Sequence, residues 1–163
     1  MSISSTAVHR AEIRFHEATD VLRPFVGCFW VVTAGEGATI RVVPDGSSAI
    51  SIQLQGGPPF EWSLRGPLLT PDERHYASPA VLIGIRLRPA VAFLLSGIPA
   101  HTLVGRRIGL SGISAFHDLA SEEPRPRTPE QSIDVLQRFL VRRLEHAHVH
   151  TVIATALHEI ERQ

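Results

Sequence analysis

The stretch Ile50-Ser-Ile-Gln-Leu-Gln55 makes every second residue apolar and the residue between polar. Successive side chains of a β-strand point to opposite faces, so this segment reads as a strand with Ile50, Ile52 and Leu54 in a core. Ser51, Gln53 and Gln55 then line the other face. Working outward, the same period recurs at Phe60, Trp62 and Leu64, and again at Val81, Ile83, Ile85 and Leu87. Upstream, residues 28–33 are aromatic and β-branched, residues 39–43 make a further strand, and Ile13 and Phe15 alternate with polar neighbours as on an edge strand. Gly35-Glu-Gly37, Pro44-Asp-Gly46 and Gly56-Gly-Pro-Pro59 separate these runs with turn chemistry, Gly46 being free to take a positive φ. Short strands at this spacing predict an antiparallel barrel or sandwich.

Beyond residue 88 the period becomes helical. Residues 89–95 enter through Pro89 and stop near Gly97; residues 99–104 read as a short turn; residues 111–120 carry Ile113, Phe116 and Leu119 at helical spacing. Residues 122–129 form a charged, proline-rich linker. Thr128-Pro-Glu-Gln131 then supplies an N-cap, a proline at the first helical position and the partner of a capping box. Ile133, Leu136, Leu140 and Leu144 mark one face of the helix that follows. A last helix is expected from about residue 149, and its abrupt stop at Gln163 reads as a cut. The expected division is a frayed start at 1–11, a β-barrel body with short helices at 12–121, and a linker with C-terminal helices at 122–163.

Composition narrows the functional classes. The chain has 163 residues, 44% hydrophobic and 20% charged, with 16 basic and 16 acidic side chains. That is an ordinary globular balance, and the zero net charge argues against a free-standing nucleic-acid binder. All the basic residues are Arg. With one cysteine, Cys28, no internal disulfide can form. No signal-peptide pattern opens the chain and no apolar run spans a bilayer, so a cytoplasmic protein without membrane contact is expected.

Few constellations suggest catalysis. His146, His148 and His150 alternate but fall between two helical patterns, so their rings diverge, and the strands carry almost no histidine; neither a metal nor a cofactor is expected. Cys28 has no base beside it in sequence and reads as a small buried hydrophobe. No nucleophile elbow, phosphate loop or dinucleotide fingerprint is present, so an enzyme is not expected. Asp45 at the turn and Arg86 in an apolar strand suggest an ion pair that locks the fold, or an arginine that grips an anionic effector. If that pair is buried, Arg86→Ala is expected to cost roughly 3–5 kcal/mol. Trp30, Gln53, Trp62 and Arg86 are the candidate ligand-binding residues, the tryptophans being either core or cleft wall. The face Ile133, Leu136, Leu140, Leu144 packs either on its own body or against a second subunit.

Several segments together resemble the N-terminal domain of one branch of AraC/XylS-type bacterial transcription regulators. They are Leu22-Arg-Pro-Phe-Val-Gly-Cys-Phe-Trp30, Val43-Pro-Asp-Gly-Ser47, and Val81-Leu-Ile-Gly-Ile-Arg-Leu-Arg-Pro-Ala90, with Leu95-Ser-Gly-Ile-Pro-Ala100 and Ile108-Gly-Leu-Ser-Gly-Ile113 following at matching spacing. The third is similar to Gly-x-Arg-Phe-x-Pro-Gly, with Leu87 in place of Phe and Ala90 in place of the final Gly. The resemblance covers roughly residues 12–162. It implies an α+β fold: an antiparallel cupin-like β-barrel, short helices, and a C-terminal helical pair. It also implies a domain that senses a small-molecule effector or holds a homodimer, with DNA bound only through a C-terminal helix-turn-helix domain that these residues do not contain. The alternatives are a stand-alone cupin-like metalloenzyme and a passive dimerisation module without ligand.

Overall fold

The computed structural model describes residues 11–55, 61–121 and 128–146. Eight strands form: β1 Ala11–His16, β2 Val26–Ala34, β3 Thr39–Val42, β4 Ser48–Gln55, β5 Ser63–Arg65, β6 Asp72–His75, β7 Ala80–Leu87 and β8 Arg107–Gly109. Six of them make one sheet in the order β1-β2-β7-β4-β5-β8, and β3 pairs with β6 in a second sheet. Every pairing is antiparallel. Four helices follow the strand-rich half, α1 Val91–Ser96, α2 Ala100–Leu103, α3 His117–Ala120 and α4 Pro129–His146.

Period-two alternation sorts the large sheet into two faces. Phe29 and Val31 of β2, Ile50, Ile52 and Leu54 of β4, Leu64 of β5, and Ile83, Ile85 and Leu87 of β7 form one core. Helices cover that side: α1 lies against β4 and α4 against β7, with Leu95, Leu103, Phe116, Leu136 and Leu140 closing the core. The Phe116 and Phe139 rings sit 5.6 Å apart. On the opposite face, Val32, Ala34, Ala80 and Leu82 meet Ala38 and Ile40 from the β3 side, with Trp30, Val42 and Tyr76 packed around them. The small sheet therefore lies over the second face of the large one.

A shift of register between Val26 and Cys28 lets Val26 join the helix-side core while Cys28 turns toward the small sheet. At the start of α4, the Gln131 amide donates to Thr128 Oγ1 at 3.2 Å, so Thr128 caps the helix that its sequence announces.

The structure departs from expectation in three places. The large sheet is open, with β1 and β8 as its edges, where a closed barrel was expected. Strands β6 and β8 arise where the sequence shows no alternation. Residues 111–120 break into two 3-10 turns and the single turn of α3, because Gly112 and the extended Ile113 interrupt the helical run. Of the two settings open to the face of α4, the structure shows packing on the chain's own body: Leu136 and Leu140 are fully buried in its core, with Ile133 and Leu144 packed against it. That face is not free to form a subunit seam. The expected last helix, His148, His150 and most of the linker lie outside the described residues.

A cleft between the two sheets

A cleft of about 290 Å³ opens between the sheets. Its floor is the second face of the large sheet, and strand register fixes what stands there. Cys28 faces Arg86, Arg86 faces Ala49, Ala49 faces Arg65, and Arg65 faces Arg107. These residues form one row across five strands, with neighbouring strands about 4.8 Å apart. The next row runs Phe15, Trp30, Gly84, Ser51, Ser63 and Gly109. The roof is Ile40, Val42, Arg74 and Tyr76 of the small sheet and its flank. Ile13 and Phe15 of β1 stand at one side, and Phe15 is 68% exposed.

Gly84 is what lets Trp30 lie in the floor. A Cβ at that position would collide with the Trp30 ring and come within 2.6 Å of the Ile50 carbonyl oxygen. Both the aromatic ring and the neighbouring strand occupy the space a side chain would need, so any larger residue must displace the ring or the backbone.

Each arginine on the cleft is held differently. Arg86 Nη2 meets Asp45 Oδ2 at 2.6 Å. Asp45 is itself fixed in the turn, where the Ser47 amide donates to Oδ1 at 2.8 Å and Gly46 takes φ 72°. Burial opposes ionisation of Asp45, but the Ser47 hydroxyl and amide and the Arg86 charge outweigh it, and the carboxyl lies below its ordinary value. The two side chains are 49% and 36% exposed, so the pair is open to water. Arg65 is more enclosed, 13% exposed, and its Nη2 donates to Asp72 Oδ2 at 3.0 Å. This contact ties β5 of the large sheet to β6 of the small one. Arg74 Nε reaches the same Asp72 oxygen at 3.4 Å, so one carboxylate serves two guanidiniums. Arg107 stands beside these groups without lining the cleft, and its Nε donates to Ser63 Oγ at 2.9 Å.

The fields of these groups overlap. Burial lowers the Arg65 pKa, and the charges of Arg74 and Arg107 push it further down against Asp72 and Asp45. Shielding from water likewise lowers that of Arg107, joined by Arg74 and opposed by Tyr76 and Glu61. Cys28 lies at the far end of the row; burial raises its thiol pKa, which Arg86 counters and Asp45 reinforces. A thiol held up in this way is a weak nucleophile.

Of the residues singled out in the sequence, Trp30 and Arg86 line the cleft and Asp45 stands beside them. Gln53 does not line it; its Nε2 donates to the Gln55 carbonyl at 3.0 Å across an irregularity in β4. Trp62 is 4% exposed and belongs to the helix-side core, because it alternates with Ser63 and Arg65, which face the cleft. Sequence reasoning missed Arg65, Arg74 and Arg107. The signal for Arg65 was present: a strand that buries Trp62 and Leu64 must turn Ser63 and Arg65 the other way. Among the described residues, no three of His, Cys, Asp and Glu come together as a metal ion would need, and no helix is long and apolar enough to cross a membrane.

The family described as a domain of unknown function (DUF6597) matches residues 14–109, which takes in half of β1 and every described strand after it. No curated protein and no solved structure matches the chain.

Proposed function

The chain belongs to this family, the domain of unknown function DUF6597, and from that premise we propose that it is the effector-sensing domain of an AraC-type transcription regulator. The observation that carries the reading is the cleft between the sheets. It has apolar and aromatic walls with a few polar groups converging on them, as small-molecule sites do. The ordered likeness of residues 12–162 to AraC/XylS-type N-terminal domains supports the regulatory part. In this reading the two facing sheets are the halves of a cupin-like barrel left open at β1 and β8. DNA contact belongs to a separate helix-turn-helix domain, and the protein works in the cytoplasm as a homodimer. Because Leu136 and Leu140 are spent on the chain's own core, the dimer contact lies elsewhere than on that face of α4.

The mechanism is a shift of population. A ligand in the cleft touches both sheets, so it favours whichever arrangement of the small sheet over the large one fits it best. Only a difference in affinity between arrangements can alter the spacing of two DNA-reading domains. The test is a thermal-shift screen of the purified chain against a metabolite library, with its mass in solution recorded alongside. A saturable rise in melting temperature is expected, since a ligand that binds only the folded state must stabilise it. A stable dimer that no compound shifts would instead favour the passive dimerisation module.

A further inference from the structure

We propose that the β5–β6 end of the cleft, where Arg65 and Arg74 converge, binds the carboxylate of a small monoanionic organic acid whose apolar body lies toward Trp30, Val42 and Leu82. This rests on the effector-sensing reading and names the ligand class for the same cleft.

The argument is one of charge, geometry and access. Three guanidiniums reach the cleft from the facing sides of the two sheets: Arg65, Arg74 and Arg86. The carboxylates in contact with them are Asp45 on Arg86 and Asp72 shared by Arg65 and Arg74. Three cations against two anions leave one positive charge, which one carboxylate neutralises. Arg41 lines the cleft too, but it is exposed and stands opposite Glu73 on the outer side of the small sheet. The excess is not spread evenly. Arg86 has Asp45 to itself, whereas Arg65 and Arg74 divide a single oxygen of Asp72. Donors therefore remain at the Arg65 end. A guanidinium presents five N–H groups in a rigid fork that suits the two oxygens of a carboxylate.

The row position makes that end reachable. Ala49 stands between Arg86 and Arg65 and has no side chain long enough to cover them. Ser51 lies in the adjoining row and lines the cleft, adding a short hydroxyl beside Arg65. The rest of the cleft is apolar, with Trp30, Val32, Val42 and Leu82 on its walls. Polarity at one end and hydrocarbon at the other fit an amphipathic acid. At about 290 Å³ the space suits a compact molecule.

The test titrates the full chain by calorimetry with benzoate, phenylacetate and hexanoate, each beside its primary amide. The acids are expected to bind, and their amides to bind about tenfold or more weakly, because a charge-assisted contact is lost. Arg74→Gln and Arg65→Gln should each weaken the acids while leaving the amides unchanged, and Arg65→Lys should restore part of the loss. Circular dichroism of each variant checks its fold, and Arg74→Gln serves should Arg65→Gln not fold, since Arg74 is the weaker of the two contacts to Asp72. Acids and amides binding equally, or amides alone binding, would overturn the carboxylate assignment while leaving a ligand-binding cleft in place. A wild-type chain that binds none of these acids or amides also overturns the assignment, and the library screen then decides the sensing reading separately.

Discussion

Ala90 is the one non-glycine residue with a positive φ among those described, at 66°. It stands where the resembled motif has glycine, just after Pro89 and at the entry to α1, where its carbonyl accepts from the Leu94 amide at 3.1 Å. An L-residue in the left-handed region crowds its own Cβ against the carbonyl. Ala90→Gly is therefore expected to stabilise the chain by about 0.5–1 kcal/mol, the relief of strain outweighing the extra freedom gained by the unfolded state. The urea midpoint measures it, and a lower midpoint would mean that the strain is smaller than that freedom. The Asp45–Arg86 pair belongs to the same scale. Had it been buried, Arg86→Ala would cost several kcal/mol; at 49% and 36% exposure the expected cost is about 1 kcal/mol or less. Its pH dependence has a definite sign. Asp45 titrates below its ordinary value when folded, so the stability it contributes is present above its unfolded pKa, about 4, and is lost as pH falls through the folded value. Asp45→Asn should be less stable than wild type at pH 7, with the gap closing below about pH 4. A gap that stays constant from neutral to acid would mean that the pair does not set it.

Among the elements, α4 shows how an amphipathic stripe leaves its partner undecided. Ile133, Leu136, Leu140 and Leu144 mark a face, but nothing in their spacing says whether a sheet or a second subunit receives it. The structure gives them β7 and α3, and the Arg143 Nη2 group donates to the Leu95 carbonyl at 3.3 Å, tying α4 to α1 as well. Leu140→Ala should cost about 2–5 kcal/mol as a cavity in the monomer core. Chemical denaturation would read that loss, and sedimentation should show the mass in solution unchanged. Dissociation without loss of monomer stability would return this face to an interface. The strands were legible in proportion to how far they separate core from surface. Ile50 to Gln55 and Val81 to Leu87 alternate because one face meets the helices. Asp72-Glu-Arg-His75 does not look like a strand, because its inward residues are Asp72 and Arg74, which answer Arg65 rather than a hydrocarbon core. Arg107-Ile-Gly109 is too short to show a period. β6 brings Arg74 to the cleft, so what the sequence left unread there is the charged contact of Arg65 and Arg74 with Asp72. Trp62 was misplaced for the converse reason: aromatic character alone cannot tell core from cleft, while its parity with Leu64 could.

At the scale of the whole molecule, two sheets of unequal size share one apolar contact and one charged one. The apolar contact joins Val32, Ala80 and Leu82 to Ala38 and Ile40. The charged contact is Arg65 with Asp72, joined by Arg74. Asp72 therefore has two opposed effects. It holds the small sheet on the large one, and it occupies donors that a ligand carboxylate would otherwise receive. Asp72→Asn separates them, because the amide keeps the shape and loses the charge. The melting temperature is expected to fall, since Arg65 is 13% exposed and loses its ionic partner. Affinity for a small carboxylate should rise several-fold at low ionic strength and less at high salt, since the uncompensated charge grows and salt screens it. Calorimetry at two salt concentrations, beside a melting curve, reads both effects. Should affinity fall together with stability, Asp72 serves the site by orienting Arg65, and the organic acid would have to bind around an intact Arg65–Asp72 bridge.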